Sequence, residues 1–255
     1  IDIDAIVSQI TANVQVSLEI LEECLELVPP PTPVNNLCTV WQEITSGNNE
    51  IIFSVSHDDG ETFSIPQNIS KNTGVSQFPQ IACEGNNVYV VWQDNTGLDP
   101  GNFDILFARS IDGGLTFSTP DNLSENTGFS GGQQIVAEGN NVYVVWQDNT
   151  GLDPGNFDIL FARSIDGGLT FSTPDNISEN TGFSTAPQIS SEGNNVYVVW
   201  RDTTGLNPGN SDIFFSRSTD GGQTFSTPPD NNISENTTGF SSSPQISSEG
   251  NKVYV

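Results

Sequence analysis

The chain has 255 residues, with 32 acids against six bases and a formal charge of −26. That balance excludes nucleic acid and anionic membranes as partners, and it favours cations, basic partners or a salty medium. No apolar run reaches the ~20 residues that a membrane-spanning helix needs, so no direct membrane span is expected. Apolar residues make up 34%, punctuated by Gly, Asn, Asp and Pro. That composition suits an all-β fold of short strands. The chain contains no methionine, and no basic residue precedes Lys71. The reading is a mature secreted chain whose signal was removed, or a stretch of something longer. The expected location is therefore extracellular or at the cell surface. Cys24, Cys38 and Cys83 match no zinc-ligand spacing. An odd number leaves at least one thiol unpaired within a monomer. Cys38 and Cys83 fall on neighbouring repeats, and both a pairing and two small structural cysteines stay open.

Residues 1–34 differ from the rest. Ile3, Ile6, Ile10, Val14, Leu21, Leu25 and Val28 recur at helical spacing, with Glu19, Glu22, Glu23 and Glu26 between them. Val14, Val16, Leu18 and Ile20 also alternate, so a strand rivals the helix. Pro29–Pro33 gives an extended spacer. Such a segment docks onto another subunit or domain, or packs on its own repeats.

From residue 35 to 255 a repeat takes over. One unit reads from Pro79 to Ser130, with strands at Gln80–Cys83, Asn87–Trp92, Asp104–Arg109 and Thr116–Thr119. Val88, Val90 and Trp92 oppose Tyr89 and Val91, so both faces of the second strand are apolar. A four-stranded unit covered on both sides is a propeller blade. Asn86–Ser130 and Asn140–Ser184 differ only at Leu123 against Ile177, which points to recent duplication. The ends are out of phase with whole blades. Asn36–Trp41 reads as a second strand, Pro244–Ser247 as a first and Lys252–Val255 as a truncated second. Either further blades lie outside this stretch, or terminal strands pair with another copy and propagate into a fibre.

One turn occurs four times, at Ser56–Phe63, Ser110–Phe117, Ser164–Phe171 and Ser218–Phe225. Its aspartates Asp58, Asp112, Asp166 and Asp220 follow one another every 54 residues. The motif resembles the Asp box, Ser-x-Asp-x-Gly-x-Thr-Trp/Phe, of sialidases and related β-propellers. The resemblance implies the fold and places the box away from the substrate pocket. Sialidases use an arginine trio, a Tyr–Glu nucleophile pair and an Asp acid. Here Arg109, Arg163 and Arg217 share one repeat position, and Arg201 stands where Gln93 and Gln147 stand in other units. The Arg-Ile-Pro signature is missing, and Tyr89, Tyr143, Tyr197 and Tyr254 are strand repeats. A single asymmetric catalytic centre does not arise from near-identical blades.

Other candidate sites are weighed against ordinary turn chemistry. His57 occupies the variable position of the first box and reads as a solvent-facing turn residue rather than a general base. The loop from Asp94 through Asp99 to Asp104 recurs as Asp148, Asp153 and Asp158, and less acidic as Asp202, Asn207 and Asp212. Carboxylate and amide oxygens are calcium ligands, so calcium is the expected cofactor if there is one, although Asp, Asn and Gly are also common loop residues. Asn-x-Ser/Thr sequons at Asn68, Asn122, Asn176, Asn232 and Asn236 are candidate glycan sites after the fourth strand. The expectation is an all-β propeller of four-stranded antiparallel blades, with a non-enzymatic structural or adhesive role. Its partners are expected to be other copies, surface proteins or glycans. The alternative is a sialidase-like glycoside hydrolase whose catalytic blades lie outside this stretch.

Overall fold

The computed structural model describes residues 36–45, 47–96, 101–150, 155–204, 210–226, 232–234, 239–250 and 252–255. The segment predicted as a helix or strand over residues 1–34 lies outside them. All regular structure among the described residues is β-strand. The first sheet holds β1 (Leu37–Thr45), β2 (Asn48–Ser56) and β3 (Gln67–Asn68). The second holds β4 (Ser76–Glu84), β5 (Asn87–Asp94), β6 (Asp104–Ser110) and β7 (Asp121–Asn122). The third repeats it with β8 (Ser130–Glu138), β9 (Asn141–Asp148), β10 (Asp158–Ser164) and β11 (Asp175–Asn176). The fourth has β12 (Ser184–Glu192), β13 (Asn195–Asp202) and β14 (Asp212–Ser218), with Asn232 bridged to Phe214 in the fourth-strand place. A last pair, β15 (Ser247–Glu249) and β16 (Lys252–Tyr254), repeats the start of a blade. Every pairing is antiparallel, and the sheets are the blades of a β-propeller.

The second, third and fourth blades each begin with a two-residue hairpin. Glu84 pairs with Asn87 across Gly85–Asn86, and Gly85 has φ 58°. A positive φ at the first central position but not at the second, Asn86, is the type II′ turn, whose twist matches the strands it joins. The outer edge differs from the sequence reading. The fourth strand is Asp121–Asn122, not Thr116–Thr119. Residues 116–119 run alongside β6 with one backbone bond, from Ser118 N to Arg109 O at 2.9 Å. The first strand also starts earlier than expected, at Ser76, because a bulge between Gln77 and Gln80 breaks its register. Phe78 sits in that bulge at φ 53°, as does Ala186 in β12. The bulge turns an amide outward to the preceding blade: Phe78 N donates to Gln42 Oε1 at 2.9 Å and Ala186 N to Gln147 Oε1 at 3.0 Å.

The cores lie between blades. Tyr89, Val91, Ile105 and Phe107 of one blade pack against Val142, Val144 and Trp146 of the next. Tyr143, Val145, Ile159 and Phe161 pack in turn against Val196, Val198 and Trp200. Ile51, Phe53 and Val55 meet Val88, Val90 and Trp92 in the same way. Strand alternation explains this, since odd positions of β5 face the following blade and even positions the preceding one. The expected double-faced strand is therefore what each interface is made of.

The repeated turn joins this packing. Gly168 has φ 74°, and a Cβ there would lie 2.7 Å from Phe107 Cζ of the preceding blade. Gly139 has φ 60° with open space around it. Gly139→Ala is expected to cost about 1 kcal/mol from backbone strain alone. Gly168→Ala is expected to cost about 2–4 kcal/mol because overpacking adds to strain. Urea unfolding of both variants checks the difference.

Candidate functional site

The blades have two ends, and the predicted site residues divide between them. At one end lie the four repeated turns. Asp58 Oδ1 accepts from Ser56 Oγ at 2.6 Å and Thr62 N at 2.8 Å, and its Oδ2 accepts from Thr62 Oγ1 at 2.5 Å. Ser56 Oγ also accepts from Gly60 N at 2.8 Å. Asp112, Asp166 and Asp220 repeat the pattern with Ser110, Ser164 and Ser218. Hydrogen bonds from the serine and then the threonine hold the Asp58 and Asp112 carboxyls down at about 2. The same donors push Asp166 and Asp220 well below the usual carboxylate range. Arg109 Nη1 donates to Gly167 O at 3.0 Å and Arg163 Nη1 to Gly221 O at 3.2 Å, so these arginines tie each blade to the next turn. His57 Nδ1 lies 2.8 Å from Asn36 Oδ1 at an exposed position.

At the other end, β5 finishes, β6 starts and β8 starts. Asp94 is fully buried and accepts from five donors. Its Oδ2 takes Asn72 Nδ2 and Ser76 Oγ, both at 2.6 Å, and Trp92 Nε1 at 3.1 Å. Its Oδ1 takes Thr96 N at 2.9 Å and Thr96 Oγ1. Asp148 and Asp202 have the same five kinds of donor from Asn126 and Asn180, Ser130 and Ser184, Trp146 and Trp200, Thr150 and Thr204. Asp104 pairs directly opposite Asp94 and accepts from Asn122 Nδ2 and Ser124 Oγ, both at 2.9 Å. Asp158 accepts from Ser178 Oγ at 3.1 Å, and Asp212 from Asn232 Nδ2 at 3.0 Å and Ser234 Oγ at 2.9 Å. These six carboxylates, read from sequence as calcium ligands, are internal acceptors here. No group of three or more metal-ligating side chains occurs among the described residues. Asp99, Asp153 and Asn207 lie outside them.

The sequons have a structural use too. Asn122 lies within β7 rather than after it. Its Oδ1 accepts from Ser124 N at 3.1 Å and Glu125 N at 3.0 Å while its Nδ2 holds Asp104. Ser124 Oγ accepts from Ile105 N at 3.1 Å, which latches the outer edge onto β6. Asn176 with Ser178, and Asn232 with Ser234, repeat this Asx turn. Asn68 Oδ1 accepts from Lys71 N at 3.0 Å. Asn236 lies outside the described residues. A glycan on Asn122 would take the Nδ2 that binds Asp104.

Sequence reasoning missed an aromatic row at this end. Phe103, Phe129, Phe157 and Phe183 follow one another from the second blade across the third to the edge of the fourth, with ring centroids 6.2, 5.8 and 6.4 Å apart. Phe183 is 45% exposed, and the other three are half-buried. Their signal was the recurrence of Asn-Phe and Gly-Phe at the repeat period. Arg201, the irregular arginine, has an Nε without a hydrogen-bond partner among the described residues.

No family model and no curated protein matches the sequence. Solved structures do match it in fold. An ulvan lyase of a polysaccharide lyase family superposes with TM-score 0.55 at 13% identity, over 76% of this chain and 52% of its own. A Trypanosoma rangeli sialidase bound to the inhibitor DANA gives 0.50 at 14% identity, over 76% of this chain and 36% of its own. A Fusarium graminearum α-L-arabinofuranosidase gives 0.50 at 14% identity, over 73% of this chain and 60% of its own. The fold is a sialidase-like β-propeller. The chain spans less than two thirds of the length of each of these structures. No helix among the described residues is long and apolar enough to cross a membrane.

Two outcomes follow. The turn carboxylates have folded pKa values below their unfolded value of 3.8, so their contribution is present above that pH and is lost as pH falls through about 2. Asp112→Asn is expected to lower the melting temperature at pH 6, and the gap to wild type should close towards pH 2. Asp148→Ala strands buried donors on Trp146, Asn126, Ser130 and Thr150. It is expected to cost about 3–5 kcal/mol in denaturant unfolding.

Proposed function

We propose that this chain is a non-enzymatic adhesive module, extracellular or at the cell surface, that binds glycan chains along the Phe103–Phe129–Phe157–Phe183 row. The row itself carries the reading. Sugar rings present apolar C–H faces with hydroxyl edges, and partly exposed aromatic rings offer a matching apolar surface. The two near-identical units repeat the same rings, with Val75 before them and Ser211 after them in the equivalent places, so a polymer of repeating units meets a short repeating surface and gains from multivalency. Binding is favoured over hydrolysis because Asp94, Asp104, Asp148, Asp158, Asp202 and Asp212 are buried and already hydrogen-bonded, whereas glycoside hydrolysis needs a carboxyl pair reaching the scissile bond. The surface charge selects neutral over anionic glycans. The lyase, sialidase and arabinofuranosidase that share the fold bear names of glycan-acting enzymes, in keeping with a glycan ligand.

A second reading rests on the opposite end. Ile111, Leu115, Ile165 and Leu169 are between 62% and 72% exposed on successive turns. A repeated apolar stripe of this kind favours self-association.

Retention on immobilised neutral polysaccharides tests the first reading. Wild type should be retained without releasing reducing sugar. Phe129→Ala and Phe157→Ala should each weaken binding about 5–30-fold, as expected for lost aromatic stacking of about 1–2 kcal/mol. No retention by wild type, or unchanged retention by the double variant, would overturn it. Sugar release would establish the hydrolase instead. Large particles by light scattering, reduced to monomers in Leu115→Lys with Leu169→Lys, would favour the self-association reading.

A further inference from the structure

In a chain built of near-copies, the positions that break the pattern are informative. Tyr89, Tyr143 and Tyr197 hold one place in the second strand, and the first unit has Cys38 there. Ala137, Ser191 and Ser248 hold one place in the first strand, and the β4 copy has Cys83 there. Where the pattern is kept, tyrosine meets the small residue across the blade interface, as Tyr89 and Ala137 do in one core cluster. The two departures are therefore opposite partners at one interface, and both are cysteine.

The geometry of that interface agrees. β1 and β4 are neighbours across the first pair of blades. Asn36 Nδ2 donates to Gly85 O at 3.1 Å at one end, and Phe78 N donates to Gln42 Oε1 at 2.9 Å at the other. Asn36, Cys38, Val40 and Gln42 alternate onto one face of the first unit, and Ile81, Cys83 and Gly85 onto the face opposite. Counting two residues inward from Asn36 on one strand and from Gly85 on the other arrives at Cys38 and Cys83. Cys38 and Val40 pack with Ile81 against the same core. The two thiols influence one another's ionisation, with Cys38 half-buried and Cys83 exposed to solvent.

We propose that Cys38 and Cys83 form a disulfide that staples the first blade interface under oxidising conditions. The oxidant is a small-molecule disulfide such as oxidised glutathione. The Cys38 thiolate attacks one of its sulfurs and expels the first small thiolate. The Cys83 thiol then loses its proton, attacks Cys38 Sγ and expels the second. Two protein thiols and one small disulfide become one protein disulfide and two small thiols, with the two protons passing to them. Cys38 is the first nucleophile because the neighbouring Cys83 thiol lowers the Cys38 pKa, while that of Cys83 is raised. The bond closes a loop between two blades that pack together and share side-chain hydrogen bonds, and it restricts the unfolded chain. It uses neither the aromatic row nor any glycan, so it stands or falls apart from the proposed function.

The test uses the full chain with Cys24 present, equilibrated with oxidised glutathione, alkylated and cut after glutamate. The expected product is peptide 27–43 joined to peptide 62–84, with Cys24 alkylated. A reductant should lower the melting temperature by about 5–10 °C. Cys38→Tyr with Cys83→Ala restores the pair used at the later interfaces, so it should fold, and its melting temperature should ignore reductant. A cross-link to Cys24, or three alkylated thiols after oxidation, would overturn the proposal. So would an equal reductant shift in the Tyr/Ala variant.

Discussion

Each sheet of this propeller is apolar on both faces, and neither face is covered from within its own blade. The interface between consecutive blades is therefore the unit of stability. Trp92, Trp146 and Trp200 are fully buried there, each contributed by one blade and enclosed with side chains of the blade before it. Burying one such side chain is worth roughly 3 kcal/mol, against about 1 kcal/mol net for a typical hydrogen bond. Apolar packing sets the stacking, and the polar contacts across it set how the blades align. The repeated turn belongs to this second group. Its glycine fits against the preceding blade's phenylalanine, its phenylalanine packs edge-on against the same ring, and an arginine of that blade binds its carbonyl.

The acidic composition poses a separate problem, because six bases cannot pair with 32 acids. The fold answers it with neutral donors. Buried Asp94, Asp148 and Asp202 are surrounded by indole, amide, hydroxyl and backbone donors, and the turn aspartates by hydroxyl and backbone donors. Hydrogen bonds to a charged acceptor are stronger than neutral ones, and here they need no counter-charge. This explains the abundance of Ser, Thr and Asn beside the acids. The same Asp/Asn/Ser chemistry serves a cation or an internal network, and only the positions of the donors distinguish them.

The period, the turns and the second and third strands were legible because each is a local pattern: a fixed spacing, a glycine with its aspartate, a run of β-branched residues. The fourth strand was not, because Thr116–Thr119 has strand-like composition while the pairing goes to Asp121–Asn122 through the Ser124 latch. The bulge at Phe78 depends on Gln42, 36 residues earlier in another blade, and no local rule encodes that contact. The aromatic row escaped for a related reason. Phe129 and Phe157 are neighbours within one blade, but Phe103 meets Phe129 only because the next blade packs alongside.

Near-identity between blades gives a repeating surface, so individuality must come from the few positions that depart from it. Gln147 illustrates the ordinary arrangement, since its Oε1 receives the bulge amide of Ala186 in the next blade. Arg201 stands in the same place one blade on, and a guanidinium has donors but no acceptor. It cannot receive the equivalent amide at Ser243, the corresponding bulge residue at φ 57°. Its Nε is left without a partner among the described residues. The departure at one end of the repeat thus replaces a cross-blade acceptor with a cationic donor, while the departure at the other replaces Tyr and Ala with two thiols. Both alter an interface rather than a strand. The blade tolerates change where its neighbour, not its own sheet, supplies the contact.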